Sequence, residues 1–195
     1  MSQTGVPFGE ISAVRDWFGI EAMVDKPGIE HPKRPIEGFA CSRSEVSGRR
    51  LWGLFRERFG TSENFFRDHF VANYCPLVFM DSNGANITPD KLSTEEVAPL
   101  FRACDKALTD TINLLEPEWV IGVGGFAKKR IDCLTRNFIP QGRGGAFLGY
   151  SIAQILHPSP ASPKANAGWD REVVKTLVEL GVWYGRFRKR LVTYP

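Results

Sequence analysis

Residues 119–138 read WVIGVGGFAKKRIDCLTRNF, and this stretch decides the fold class. The apolar run WVIGV predicts a short buried strand that a Gly-Gly pair closes. The basic segment at residues 126–138 then predicts a helix. A second strand is predicted at residues 151–156, with His157 at its C-terminal end. Because strands alternate with helices, the pattern indicates an α/β fold with a mostly parallel sheet.

Further elements are predicted on both sides of this stretch. Helices are predicted at residues 12–18, 48–59 (capped by Ser47), 63–68 and 169–182, and from a capping box of Ser93 and Glu96 to about residue 115. The run FVANYCPLVFM at residues 70–80 is rich in β-formers and predicts a strand that runs into a loop.

The bulk composition is that of a globular protein. Of 195 residues, 43% are hydrophobic and 24% are charged, which predicts one domain with a sizeable core. The net charge of +3 permits nucleic-acid binding without arguing for it. We expect an intracellular, soluble protein, because the chain lacks an apolar run of about 18 residues and a secretory signal.

The cysteines and histidines argue against a metal centre. The chain has 4 cysteines and 3 histidines, and it contains no C-x-x-C pair. A zinc site or an iron–sulfur cluster is therefore not expected. Four free thiols in a reducing compartment are predicted instead.

His157 is the first candidate for chemistry. Ligands of parallel sheets bind at the carboxyl ends of strands, and the predicted ends fall near residues 73–76, 124–125 and 157–160. Three prolines stiffen the loop after His157, so that it can enter a duplex with little loss of entropy. An imidazole there can stabilise a developing oxyanion. The alternative is a structural histidine before a proline-rich turn.

Asn73 and Phe8 are candidates for base recognition. The Asn73 amide both donates and accepts, so it can pair with N3–H and O4 of uracil and discriminate against cytosine. Phe8, in the loop TGVPFG, can stack on an extruded base. The alternatives are that Asn73 is a core asparagine whose amide is hydrogen-bonded within the protein, and that Phe8 is an ordinary core phenylalanine.

Several segments, taken in order, resemble the single-strand-selective monofunctional uracil-DNA glycosylase family. They are QTGVPFGE at 3–10, HPKRP at 31–35, SEVSG at 44–48, NYCPL at 73–77, GVG at 122–124 before a helix containing Arg130, HPSP at 157–160 and PKANAGW at 163–169. The similarity covers nearly the whole chain, and HPSP together with QTGVPFG is highly specific.

The resemblance implies a role for each matching residue. Phe8 stacks on the flipped base, Asn73 hydrogen-bonds the uracil edge, and Gly5 and Pro7 contribute to substrate binding. His157 stabilises charge growing on uracil O2 as the glycosidic bond breaks. The implied DNA-binding loop enters the duplex after Pro158 and comprises Ser159, Pro160, Ala161, Ser162, Pro163 and Lys164. We expect the side chains of Phe8, Asn73 and His157 to converge on one pocket at the carboxyl edge of the sheet.

The resemblance also implies an architecture and a substrate. The fold is expected to be a three-layer α-β-α sandwich with a mostly parallel four-stranded central sheet, in a single domain over residues 1–195. The expected partner is single- or double-stranded DNA containing uracil or oxidised pyrimidines. A monomer without metal or organic cofactor is expected, in the nucleus of a eukaryote or the cytoplasm of a bacterium, with no membrane partner.

Two departures from the family pattern matter. The family places a G-M-N-P-G-P segment, whose Asn positions the attacking water, just before the matched QTG. Because this sequence starts at Met1 inside that motif, the domain is expected to be N-terminally incomplete and to lack its first strand. The family loop also often carries an Arg after HPSP, where this chain has Ala161, and Lys164 replaces it only in part.

Two other functions fit the same residues. One is a non-catalytic DNA-binding protein of the same fold, which Ala161 and the missing Asn favour. The other is a nucleoside-processing α/β enzyme, against which the proline loop and basic helix argue. Release of free uracil from an oligonucleotide separates the glycosylase from the DNA-binding module, and activity on free deoxyuridine would support the nucleoside enzyme.

Overall fold

A computed structural model describes residues 3–138 and 149–183 of the chain. Its contacts divide the chain into two compact units. The first consists of Met1–Glu116 with Pro158–Pro160, and the second of Pro117–His157 with Ala161–Pro195.

Helices dominate the first unit. They are α1 (Val46–Phe59), α2 (Ser62–Phe66) and α3 (Thr94–Leu115), with single turns at Ala13–Trp17, Gly38–Ala40 and Pro89–Lys91. Strands β1 (Phe79–Met80) and β2 (Asn86–Ile87) form an antiparallel pair. The turn at Asp81 joins this pair, since the Asp81 carboxylate accepts from the Asn83 and Ala85 amides at 2.9 Å.

An aromatic cluster forms the core of the first unit. The Phe55 and Phe65 rings stack with centroids 4.6 Å apart, and Trp52 packs edge-on against both. Trp17 adds its ring 6.2 Å from Trp52 and donates its indole N–H to the Gly60 carbonyl at 2.9 Å. Burying such large rings is among the strongest contributions to a core.

Of the predicted helix ends, both ends of α3 are confirmed and the start of α1 is not. Ser93 Oγ accepts from the Glu96 amide, and the Glu96 carboxylate accepts from the Ser93 amide, so the predicted capping box is confirmed. Helix α3 ends at Leu115, as predicted. The predicted cap at Ser47 is wrong: α1 begins at Val46, because the Arg49 amide already donates to the Glu45 carbonyl at 2.9 Å.

The strand predicted at residues 70–80 is largely wrong. Only Phe79 and Met80 are in a strand, and residues 70–78 are irregular. Strand residues need a neighbouring strand to pair their amides and carbonyls, and within the described part of the chain none pairs with residues 70–78. Pro76 also removes one backbone donor. The predicted strand end near residues 73–76 is therefore not observed.

The second unit is built on a parallel strand pair. Strand β3 (Trp119–Val123) pairs with β4 (Ser151–Ile155), Trp119 lying opposite Ser151 and Val123 opposite Ile155. Helix α4 (Gly125–Phe138) follows β3, and α5 (Pro163–Asn166) and α6 (Trp169–Glu179) follow β4. The predictions at residues 119–123 and 126–138 are confirmed within one residue, and the last helix ends three residues before its predicted limit.

Apolar side chains from α4, β4 and α6 form the core of the second unit. They are Ile131, Leu134, Ala153, Ile155, Trp169, Val173 and Leu177, each at most 6% exposed. The Trp169 indole also donates to the Leu156 carbonyl at 2.7 Å, which fixes α6 to the end of β4. This β3–α4–β4 arrangement confirms the α/β class, while the four-stranded sandwich remains a prediction.

None of the helices in the described ranges is long and apolar enough to cross a membrane. The four cysteines are free thiols, with Cys41 and Cys104 buried.

Candidate active site

Phe8 adopts a backbone conformation that non-glycine residues rarely take. Its φ is +49°, in the left-handed region where the Cβ atom crowds the backbone. Such a conformation costs about 1–3 kcal/mol and persists only where surrounding contacts impose it. The turn that carries Phe8 must therefore be held by other residues of the first unit.

Two donors hold the Phe8 carbonyl in this conformation. The Trp52 indole N–H donates to it at 3.0 Å and to the Pro7 carbonyl at 3.2 Å. The Glu10 amide donates to the same Phe8 oxygen at 2.7 Å. Trp52 is 2% exposed, so the surrounding core fixes the position of its ring. Through its hydrogen bonds to Pro7 and Phe8, this ring in turn holds the turn in position.

Gly48 allows the Phe8 turn to lie directly on helix α1. A Cβ atom at Gly48 would lie 2.1 Å from the Phe8 carbonyl oxygen and 2.9 Å from Glu10 Cβ. Both distances are shorter than any real contact, so only glycine fits. This is the physical reason for a glycine at the end of the SEVSG segment.

Gln3, at the start of QTGVPFGE, fastens the turn to the segment around Gly38. The Gln3 side chain accepts from the Glu37 and Gly38 amides at 2.7 and 3.0 Å. Gly5 has a φ of +72°, and no atom lies within 4 Å of the position that its Cβ would take. Glycine is therefore favoured here by the backbone conformation and not by lack of space. Of the predicted substrate-binding residues, Gly5 is exposed and Pro7 half-buried.

Sequence reasoning assigned no role to Glu10. Its side chain is 7% exposed, and its carboxylate accepts from the Ser12 hydroxyl at 2.6 Å and the Ala13 amide at 2.9 Å. Glu10 thereby satisfies the first amide of the turn at Ala13–Trp17. An acidic residue just before a helical turn was the available signal.

Asn73 lies in an irregular segment that its neighbour attaches to helix α3. The Tyr74 hydroxyl donates to Asp105 Oδ1 at 2.7 Å and lies 3.4 Å from the Phe101 carbonyl. The Tyr74 ring also packs edge-on against Phe101, with centroids 5.9 Å apart. Asn73 itself is half-buried. The contacts of Tyr74 with α3 therefore hold this segment in place of the strand-to-strand hydrogen bonds that the predicted strand would have made.

His157 and Gly124 meet at the carboxyl ends of the paired strands. The Gly124 amide donates to the Ile155 carbonyl at 2.9 Å. Gly124 has a φ of +90°, a conformation that favours glycine. A Cβ atom added at Gly124 would lie only 2.9 Å from the His157 Cβ, so the glycine leaves room for His157. Because β3 and β4 are parallel, the strand ends predicted near residues 124–125 and 157–160 lie at the same edge of this pair.

Gly122, in the same GVG segment, allows α4 to pack on β3. A Cβ atom there would lie 2.5 Å from the Lys128 backbone nitrogen. The two glycines thus have different roles, one for helix packing and one for His157.

Desolvation lowers the pKa of His157 from the ordinary value of histidine. His157 is an exposed residue, so the desolvation is only partial. A lowered pKa favours the neutral imidazole at neutral pH. A neutral ring can donate one N–H to a growing negative charge and needs no counter-ion.

The predicted loop after His157 is shorter than expected. Pro158 is buried, Ser159 is half-buried, and Pro160 and Ala161 are exposed in a turn. The loop ends at Ser162, whose Oγ accepts from the Ala165 amide at 3.3 Å and caps α5.

The last two predicted DNA-binding residues, Pro163 and Lys164, are exposed residues of α5. Their prediction as loop residues is wrong, since Ser162 is a good N-cap and proline suits the first helical position.

Phe8 and Asn73 belong to the first unit and His157 to the second. The convergence of the three side chains on one pocket remains a prediction.

Comparison with known proteins identifies curated relatives over most of the chain. It is 44% identical over 182 residues to the single-strand selective monofunctional uracil DNA glycosylase of Bos taurus, covering 93% of this chain and 64% of the bovine protein. It is 44% identical to the protein of that name from Rattus norvegicus and 43% identical to that from Mus musculus, covering 63% and 62% of them. The chain thus spans less than two thirds of these relatives.

A family model supports the same assignment. The model of the uracil DNA glycosylase superfamily matches residues 2–178, a range that includes the Phe8 turn, Asn73 and His157. On this match, the chain belongs to the uracil DNA glycosylase superfamily.

Proposed function

We propose that this protein is a monofunctional uracil-DNA glycosylase that flips uracil out of DNA and hydrolyses its N-glycosidic bond, leaving an abasic site. The observation that carries the proposal is His157, a partly desolvated imidazole at the carboxyl end of β4, with its pKa lowered. The relatives' names point to the same reaction.

Base recognition is assigned to the first unit. The Phe8 ring stacks on the extruded uracil, and the left-handed turn that Trp52 holds fixes its direction. Asn73 donates to uracil O4 and accepts from N3–H, a pattern that cytosine reverses. Gly5 and Pro7 provide the backbone of the binding turn. A base that stacks and pairs in this way is recognised outside the duplex.

His157 is assigned to the departure of the base. As the bond from the sugar C1′ to uracil N1 breaks, its electron pair moves into the base and negative charge grows on O2. A neutral His157 donates a hydrogen bond to that oxygen, and such a donor is typically worth about 100- to 1,000-fold in rate. Water then adds to the oxocarbenium-like C1′ and loses a proton, and the uracil anion takes up a proton.

DNA contact is assigned to the exposed part of the loop and the start of α5. Pro160 and Ala161 are exposed in the turn, and Ser159 and Ser162 flank them. Pro163 and Lys164 follow on α5, where Lys164 is an exposed cation for a phosphate. Ala161 cannot fill the vacated base position as an arginine does, so this loop is expected to hold the duplex open weakly.

The proposal extends to substrate range and architecture. We expect activity on single- and double-stranded DNA, on uracil and oxidised pyrimidines, by a monomer that needs no cofactor. The domain is proposed to be a three-layer α-β-α sandwich with a four-stranded central sheet, to which β3 and β4 belong. A nuclear site in a eukaryote or a cytoplasmic site in a bacterium follows from the substrate.

Release of free uracil from a labelled oligonucleotide tests the proposal. The full-length protein should release uracil from single-stranded and duplex substrates and should leave free deoxyuridine intact. Binding to DNA without release would instead indicate a DNA-binding module of the same fold. Cleavage of free deoxyuridine would indicate a nucleoside-processing enzyme.

A further inference from the structure

Arg50, on helix α1, contacts the backbone that directly follows His157. Its Nη1 atom donates to the Pro158 carbonyl at 3.1 Å and lies 3.4 Å from the Ser159 carbonyl. These residues are 108 and 109 positions away in sequence, and all three belong to the first unit. No local pattern in the sequence indicates this contact.

We propose that Arg50 is a positioning residue that holds the base of the loop at Pro158–Pro160 in the shape needed to enter duplex DNA. The inference rests on the proposed glycosylase function. It assigns to α1 a second task beside holding the Phe8 turn. Arg50 reaches no reacting atom in this proposal and acts only through the loop.

The composition of this loop explains why it needs an outside donor. Pro158 and Pro160 have no backbone N–H, so the loop has few amides with which to stabilise its own turn. Its carbonyl groups still need partners when they are buried, and Pro158 is buried. The Arg50 guanidinium, with several donors in a rigid plane and a permanent charge, suits two adjacent carbonyls.

Burial changes along the loop in the direction that the proposal requires. Pro158 is buried and Ser159 half-buried, where Arg50 holds them, whereas Pro160 and Ala161 are exposed. The base of the loop is thus fixed and the tip is accessible. A preorganised tip loses less entropy on entering a duplex.

The proposal predicts a selective defect. Excision from duplex DNA requires the loop to occupy the gap left by the flipped base, whereas single-stranded DNA has no opposing strand to separate. Loss of the Arg50 contact should therefore slow duplex excision more than single-strand excision. A purely structural role for Arg50 would reduce both rates in the same proportion.

The test compares Arg50→Met and Arg50→Lys with the wild type under single-turnover conditions at saturating full-length enzyme. The matched control is Arg49→Met, which removes an equal charge from the neighbouring, exposed position of α1. Arg50→Met should slow duplex excision by about 10- to 100-fold, as expected for loss of a charge-assisted hydrogen bond. It should slow single-strand excision by less than about threefold. Arg50→Lys should restore part of the duplex rate, and Arg49→Met should leave the ratio of duplex to single-strand rates unchanged.

Amide hydrogen exchange provides a second readout that needs no activity. The Ser159 and Ala161 amides should exchange faster in Arg50→Met than in the wild type, while amides of α6 remain unchanged. Equal slowing on both substrates, or unchanged exchange in the loop, would overturn the positioning role. If the wild type released no uracil, the proposed function would fail, and the exchange data would still show whether Arg50 orders the loop.

Discussion

The indole N–H of Trp52 donates to the carbonyl oxygen of Phe8 at 3.0 Å, so a core tryptophan fixes the conformation of the residue proposed to stack on uracil. Phe8 has a positive φ, which the chain would not adopt without such a contact. The core of the first unit and the base-binding turn are therefore one structure, and core changes in α1 should affect base excision.

Gly48→Ala should destabilise the protein and slow uracil excision. The new Cβ would lie 2.1 Å from the Phe8 carbonyl oxygen, so the turn must move, at a cost of about 1–3 kcal/mol in the free energy of unfolding. Denaturant unfolding and single-turnover excision measure the two effects.

Gly53→Ala is the matched control for this prediction. Gly53 lies on the same helix with nothing within 4 Å of its Cβ position. Alanine there should stabilise the helix by about 0.5–1 kcal/mol and leave excision unchanged. Equal behaviour of the two variants would show that Gly48 has no special contact with the Phe8 turn.

Tyr74→Phe should weaken both stability and base recognition. The variant removes the hydroxyl that donates to Asp105 Oδ1 at 2.7 Å, which should cost about 1–3 kcal/mol. The Asn73 segment then loses an anchor on α3, so KM for uracil-containing DNA should rise. A double-mutant cycle with Asp105→Ala isolates the pair, and a coupling energy near zero would count against the anchor.

The sequence predicts elements well where the signal is local. Gly124 and Gly125 close the apolar run from Trp119 to Val123, and the Ser93 capping box marks the start of α3, so both predictions are confirmed. The segment around Asn73 was predicted wrongly as a strand, because β-forming composition does not reveal whether a partner strand is in place.

The contacts that hold the candidate site could not be predicted in the same way. Trp52 and Phe8 are 44 residues apart, and Arg50 and Pro158 are 108 apart. The resemblance to a family indicated which residues matter, including Phe8 and His157. Why Gly48 and Gly124 must be glycines follows only from the distances in the folded chain.

Asn73→Asp should reduce uracil excision and change base selectivity. An ionised carboxylate cannot donate to uracil O4, and a mismatched polar group costs about 1–3 kcal/mol. Rates should be measured on matched oligonucleotides with uracil or cytosine at one position. Unchanged excision of uracil would show that Asn73 does not read the base.

The lowered pKa of His157 should appear in the pH dependence of stability. Because desolvation disfavours the imidazolium in the folded state, the folded pKa lies below the unfolded value of about 6.5. The unfolded state then binds more protons in the window between the two values. The contribution of the neutral His157 to the free energy of unfolding is therefore fully present above about pH 6.5. It is lost as the pH falls through the folded pKa.

Unfolding free energies at several pH values, together with an NMR titration of His157, measure this effect. His157→Gln should flatten the loss of stability in that window. The flattening should be partial, because desolvation also lowers the pKa of His69. A His157 titration above the usual range of histidine would contradict the assignment of a neutral imidazole.

The most direct test of the role of His157 is the rate of uracil release by His157→Leu in the full-length protein. The rate is measured at saturating enzyme in a single turnover, with DNA affinity measured in parallel. We expect uracil release to be slowed by about 100- to 1,000-fold, with DNA affinity nearly unchanged because the phosphate contacts remain. A release rate equal to that of the wild type would contradict the role of His157 and with it the proposed mechanism.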